Sequence, residues 1–509
     1  AVNRAKVGPQ KHERFVRSGK PPSRAVFSTT TRPAAVPTRR DARRTTTQRL
    51  TPKNRLEKSQ ISPIGRSTGE LGLGEATNRV FNRPSSWIEL ASSERVSSVD
   101  DKDACVPGGL KAGPSCCDDF CTRPSLTNGF GGLQPCLAEK GLIYDAQFTQ
   151  FGQRVTTGGG SQDSAYGGKL DQFLILDSTT MGLWEGGQVI MHAETRYGDD
   201  VILNAAGLAP VNANMLYPTL ENETAITGLL FQQALSEEWA VSIGKFNAFD
   251  LLNMLYPQTG RGIDGFMNAS IFMPMTAART YPLSFLGASL VKMHEGQIQG
   301  SLMVYDSNNI PTTSGLSDLF DNGANLLGYW RFFTELGGLP GSHGFQATWA
   351  AGDFTSLDPT GWNFDPVTGL VPAQQTTSWS VQYFLEQTLW ADGQNPERNI
   401  GLLSQWGYAD PETCPYEWVA NVAVQAQGLI PCRPQDRIGV GYFYSGLSGE
   451  FQNLVSPIVP IDDLHGGEVY YNAAITPWFR VTGDLQVVQP GVQANDTAVV
   501  LGLRAWMRL

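Results

Sequence analysis

Thr497-Ala-Val-Val-Leu-Gly-Leu-Arg-Ala-Trp-Met-Arg-Leu509 is the stretch from which the fold can be read. In an extended strand successive side chains point to opposite faces. Thr497, Val499, Leu501, Leu503, Ala505, Met507 and Leu509 then share one face. Ala498, Val500, Gly502, Arg504, Trp506 and Arg508 share the other. The first face suits hydrocarbon. The second carries two arginines and suits water. A tilted strand of ~9–11 residues with this split crosses a bilayer.

The same alternation recurs upstream. In 188–197, Gln188, His192, Glu194 and Arg196 fall opposite Val189, Met191, Ala193 and Tyr197. In 324–336, Arg331 and Glu335 fall opposite Trp330 and Phe332. In 378–386, Ser378, Ser380, Gln382 and Glu386 fall opposite Trp379, Val381, Tyr383 and Leu385. In 468–475 and 480–488, Glu468, Asn472, Arg480, Thr482, Asp484 and Gln486 stand on polar faces. About sixteen such segments begin near 142, 165, 187, 224, 238, 281, 296, 324, 343, 376, 397, 416, 436, 467, 479 and 496. An even number in this range matches bacterial outer-membrane barrels. Short connections (236–237, 294–296, 339–341, 476–477) alternate with long ones (198–223, 247–280, 307–323, 353–375, 449–466). One membrane with short turns on one side and long loops on the other produces that alternation. The expected fold is all-β: a closed antiparallel transmembrane β-barrel of about sixteen strands with a disordered N-terminal extension.

Composition agrees. Hydrophobic residues make up 41 % of the 509, too few for a bundle of membrane helices. No run of ~18 apolar residues occurs. Charge is unevenly placed: residues 1–60 hold about 16 basic and 3 acidic side chains, against a net charge of −10 for the whole. We expect residues 1–100, rich in Arg, Ser, Thr and Pro, to form a disordered extension. Aromatics are nearly absent from the basic arm, so nucleic-acid binding is not expected. No apolar h-region stands within the first sixty residues.

Residues 101–141 form a cysteine-bearing segment, expected on the periplasmic side, with a short helix at Pro135–Lys140 ended by Gly141. Of the seven cysteines, five crowd between Cys105 and Cys136, without zinc-ribbon spacing or a nearby histidine, so disulfides fit better than metal. Cys414 and Cys432 bracket one strand and are expected not to pair, since a disulfide needs Cα atoms within ~7 Å. Residues 142–509 are the expected barrel.

Inward-facing charges are the candidate lumen residues: His192, Glu194, Arg196, Arg331, Glu335, Glu386 and Arg504. The competing reading is that they pair with one another across strands. Arg196 and Arg331 are the leading constriction candidates, because arginine presents a rigid fork of donors to hydroxyls. Trp330, Trp379 and Trp418 fall on apolar faces and suit a membrane-interface belt. The sequence contains no nucleotide-binding Gly-Lys-Ser/Thr and no His-Glu-x-x-His. No cofactor, metal or enzymatic activity is expected.

Three motifs carry a resemblance. Leu126-Thr-Asn-Gly-Phe-Gly-Gly-Leu133 with Leu137-Ala-Glu-Lys-Gly141 comes first. Gly244-Lys-Phe246 with Asp250, Gly265-Phe-Met-Asn268 and Tyr281-Pro-Leu283 follow. Pro477-Trp-Phe-Arg-Val-Thr482 with Asp484, Gln489-Pro-Gly491 and Asp496-Thr-Ala498 is third. Together they resemble the carbohydrate-selective porin family, OprB, over roughly 124–509. Phe130 and Gln134 stand where that family usually has Trp and Arg. The resemblance implies a sixteen-stranded outer-membrane barrel that passes sugars by passive diffusion. It also adds Lys245 and Asp250 to the candidate lumen residues. Its partners would be carbohydrate solutes, outer-membrane lipid and, in a homo-oligomer, further copies. Two alternatives stay open: a general cation-preferring porin, and a soluble or surface-attached β-rich binding protein.

Overall fold

The computed structural model describes residues 118–216, 223–367 and 369–509. The extension 1–100 and residues 101–117 of the cysteine segment lie outside these residues. The described strands are β1 (Leu142–Gly159), β2 (Ser164–Asp177), β3 (Gly187–Gly198), β4 (Thr224–Ala234), β5 (Trp239–Asn247), β6 (Ser284–His294), β7 (Gln297–Asp306), β8 (Gly323–Leu336), β9 (Leu339–Thr355), β10 (Asn363–Asp365), β11 (Gly369–Val371), β12 (Gln374–Ala391), β13 (Asn399–Ala409), β14 (Tyr416–Gln427), β15 (Arg437–Leu447), β16 (Leu464–Thr476), β17 (Phe479–Gln489) and β18 (Asp496–Arg508). Sixteen of them close into one barrel, each beside its sequence neighbour, with β18 against β1. The closing pair runs antiparallel from Gln147↔Arg508 to Gly159↔Asp496. Closure leaves no open edge whose backbone groups would meet hydrocarbon unpaired, at several kcal/mol each.

The period-two reading of β18 holds. Leu501 and Leu503 are 50 % and 58 % exposed, while Val500 and Arg504 on either side of them are 0 % exposed. Trp330, Trp379 and Trp418 stand exposed on the outer face. Trp418 stacks on Tyr444 across β14 and β15, ring centroids 4.8 Å apart.

Two expectations about connections are corrected. The turn expected at 339–341 lies at Gly337-Gly338, where φ is 63° and 80°. Two glycines take that left-handed turn without strain, so Pro340 joins β9 opposite Glu335. Connection length does not alternate strictly: 160–163 is short on the long-loop side, and 178–186 and 428–436 are longer than a tight turn on the other. The 356–373 connection also carries a hairpin of its own, β10 with β11.

The segment leading into β1 is held to the barrel floor. The Trp478 indole donates to the Phe120 carbonyl at 2.9 Å, and Arg123 lies 4.4 Å from the Phe120 ring centroid. The short helix ends at Ala138, two residues earlier than expected. Gly141, at φ 84°, then turns the chain into the wall. A Cβ there would sit 2.7 Å from the Asp177 carbonyl oxygen, so only glycine fits.

Cys414 is a free thiol and Cys432 is disulfide-bonded, so these two do not pair with each other. Burial pushes the Cys414 thiol up to about 11, which keeps it out of the reactive thiolate form. Cys121 and Cys136 are free and exposed. Maleimide at neutral pH is therefore expected to label Cys121 and Cys136 in the folded protein and to reach Cys414 only after unfolding. Peptide mapping checks this; native labelling of Cys414 would contradict its burial.

Candidate functional site: an occupied barrel lumen

The connection 248–283 is long and unusually apolar for a surface loop. It folds into the barrel. Asn247 caps its first helix, Ala248–Leu255, accepting from Phe249 N at 2.9 Å and Asp250 N at 3.3 Å. An asparagine cap contributes about 1 kcal/mol. Phe249, Leu251, Tyr256, Phe266, Met267, Ile271 and Phe272 are all buried. At roughly 1.5–3 kcal/mol for each large side chain removed from water, these residues drive the connection inward. Residues 199–216 of the preceding connection enter beside it, with Val201, Ala205, Ala209, Val211 and Met215 all buried.

The candidate lumen residues meet this inward chain. His192 on β3 lies between two carboxylates: Nε2 is 3.0 Å from Asp171 Oδ1, and Nδ1 is 2.7 Å from Asp250 Oδ2. Asp250 belongs to the inward helix, so His192 ties that helix to the wall. Phe173 stacks on the imidazole at 4.1 Å. Lys169 Nζ is 2.9 Å from Asp171 and 3.1 Å from Glu194. Asn247 Nδ2 donates to Glu194 Oε2 at 3.0 Å. Asp171, His192 and Glu194 stand close enough to hold a metal ion. The Lys169 ammonium, however, already supplies the positive charge at both carboxylates. A buried paired network of this kind costs desolvation and returns a defined geometry.

On another part of the wall Arg331 donates through Nη1 to the Leu255 carbonyl at 2.7 Å and through Nη2 to the Glu386 carboxylate. Ser342 Oγ donates to the same carboxylate at 3.3 Å. The Arg331 guanidinium lies 5.1 Å from the Tyr256 ring centroid, and Tyr256 stacks on Phe384 at 4.8 Å. Arg504, on β18, donates to the carbonyls of Gly262 at 2.6 Å and Gly265 at 2.9 Å. Lys245 Nζ donates to the carbonyls of Ile226, Pro311 and Thr313, pinning the 307–322 connection. Arg196 is buried at the top of β3, 3.5 Å from Asp200. Glu335 stands apart: it is exposed beside the Gly337-Gly338 turn and joins none of these groups.

Pattern reading thus selected inward-facing charges, but their partners are chain rather than open lumen. It missed Lys169, Asp171, Asn247 and Tyr256. Lys169 and Asp171 sit in the alternating run of β2, where the same period-two test would have placed them. Asn247 before Ala-Phe-Asp is a legible helix cap. Tyr256 carries no local signal. Within the inward connection Gln258 remains exposed, and its carbonyl accepts from Gln425 of the wall at 3.3 Å.

The sequence matches the carbohydrate-selective porin, OprB family, over residues 161–508, well over half of the chain. The chain belongs to that family. The 126–141 motif lies outside the matched range. No curated protein matches the sequence. Among solved structures, the high-pH structure of Pseudomonas putida OprB is similar at TM-score 0.66 and 17 % identity, covering 77 % of this chain and 100 % of that one. At that identity the likeness concerns the fold. The trimer form of OmpT from Vibrio cholerae matches at TM-score 0.42 and 11 % identity, over 72 % of this chain and 99 % of that one. Membership of a porin family together with a closed barrel makes this OprB-family chain a channel rather than an enzyme.

Proposed function

We propose that this OprB-family protein lets mono- or oligosaccharides diffuse passively across a bacterial outer membrane. The observation that carries the reading is the family match over a closed sixteen-stranded barrel with an apolar outer face. The inward connection supports it further. A neutral solute is chosen by lumen width and by hydrogen-bonding groups, not by charge. Here the buried lumen charges largely neutralise one another, as at Lys169 with Asp171 and Glu194, and at Arg331 with Glu386.

The test is swelling of proteoliposomes in iso-osmotic glucose, maltose and raffinose. We expect rates to fall steeply with sugar size, and planar-bilayer conductance to drop as sugar is added. Folded protein that admits no sugar would sink the reading.

A cation preference is the second reading, favoured by one observation. Apart from the inward connection 248–283, which carries Arg261 and Arg279, the connections on the long-loop side (160–163, 199–223, 307–322, 356–373, 410–415, 448–463 and 490–495) contain many acidic residues and no lysine or arginine. An entrance of one sign concentrates its counterions. Reversal potentials under a salt gradient, recorded in the same bilayers, would show it.

A further inference from the structure

Three wall residues on adjacent strands grip both inward connections where they meet. Glu468 on β16 is 1 % exposed, and Gln486 on β17 and Arg504 on β18 are both 0 % exposed. Glu468 and Gln486 are direct register partners. The Glu468 carboxylate accepts from the backbone N–H of Met267 at 2.6 Å and of Asn268 at 2.8 Å. Gln486 holds one connection with each end of its amide. Nε2 donates to the Val211 carbonyl at 2.9 Å, and Oε1 accepts from Asn268 Nδ2 at 3.0 Å. Arg504 takes the Gly262 and Gly265 carbonyls just upstream.

The two connections are bonded to each other at the same place. Ala213 N donates to the Met267 carbonyl at 2.8 Å, and Ala269 N to the Pro210 carbonyl at 2.9 Å. Asn214 Nδ2 donates to the Gly262 carbonyl at 2.6 Å. The wall beside the joint is also shaped for it. A Cβ on Gly439 would come within 2.3 Å of the Tyr470 ring, which packs on Phe266, and 3.0 Å of Phe266 itself, and one on Gly441 within 2.8 Å of Ile271. Two glycines of β15 therefore open a recess for the apolar side chains that flank the clasp.

We propose that Glu468 and Gln486 are positioning residues for solute passage: they fix the joint between residues 210–214 and 262–269, and through it the width of the lumen. The inference rests on the porin reading. Each Glu468 oxygen accepts from a different backbone N–H, Met267 on Oε1 and Asn268 on Oε2, so the pair sets the loop in one orientation. Glu468→Gln keeps the size but turns an NH2 group toward one of those donors. Gln486→Ala releases both connections without changing any charge.

The experiment compares wild type with E468Q, Q486A and E468D in planar bilayers and proteoliposomes. E468Q and Q486A are expected to raise single-channel conductance roughly twofold, because conductance follows the narrowest radius. They should also speed raffinose entry relative to glucose and weaken block by sugar. E468D should return toward wild type. Heat-modifiable migration on a denaturing gel should report an intact barrel throughout. Folded variants with wild-type conductance and size cut-off would overturn the proposal and leave the clasp a stability element. Should E468Q not fold, Q486A decides by the same readouts. A wild type that admits no sugar would overturn the porin reading instead, and the clasp would still stand or fall on conductance.

Discussion

Arg331→Ala is expected to destabilise the barrel by about 3–5 kcal/mol, the cost of leaving one partner of a buried ion pair without the other. Both side chains are nearly enclosed, at 8 % and 10 % exposure. Glu386 would keep only the Ser342 hydroxyl as a donor among the contacts described above. The Leu255 carbonyl would lose its Arg331 donor as well. That frees the end of the inward helix, so conductance should become noisier as stability falls. The control is the double variant R331M/E386L. Replacing both members of a buried pair by apolar residues of similar volume is often neutral or stabilising. The midpoint of unfolding in urea, followed in detergent by heat-modifiable migration, reads both. A single variant no weaker than the double would show that Arg331 works by something other than pairing with Glu386.

Leu503→Arg is expected to cost about 2–4 kcal/mol, the penalty for arginine on the lipid face at mid-depth. Leu503 lies near the middle of β18, opposite Gly152 of β1 and Gly483 of β17, and is 58 % exposed. Leu316, in the 307–322 connection, is 69 % exposed. Leu316→Arg should change stability by no more than about 0.5 kcal/mol, as surface substitutions in water do. Two exposed leucines thus separate by what surrounds them. Equal costs in lipid bilayers would mean that β18 does not face hydrocarbon.

The strands were legible because their signal is local. Residues two apart share a face whatever lies elsewhere, so Leu501 and Leu503 could be assigned outward and Val500 and Arg504 inward from spacing alone. Turn placement was weaker where two turn-forming stretches adjoined. Gly337-Gly338 competed with Pro340-Gly341, and the positive φ of the glycine pair decided it. Among the candidate site residues, parity placed His192, Glu194, Arg196, Arg331, Glu386 and Arg504 on the inner wall. It could not say what they would meet.

By itself, the sequence determined the all-β class, the number of strands, their two faces and the two-sided threading of the chain. Each follows from a period of two and from punctuation by Gly, Pro, Asn and Asp. Only the tertiary structure decided that 199–216 and 248–283 enter the lumen, and that Asp250, Leu255, Met267 and Asn268 meet His192, Arg331 and Glu468. Those pairs join residues far apart in the chain. Closure of β18 on β1 brings them together, and burial of Phe249, Phe266 and Phe272 then draws the loops in. Neither event leaves a periodic trace along the sequence.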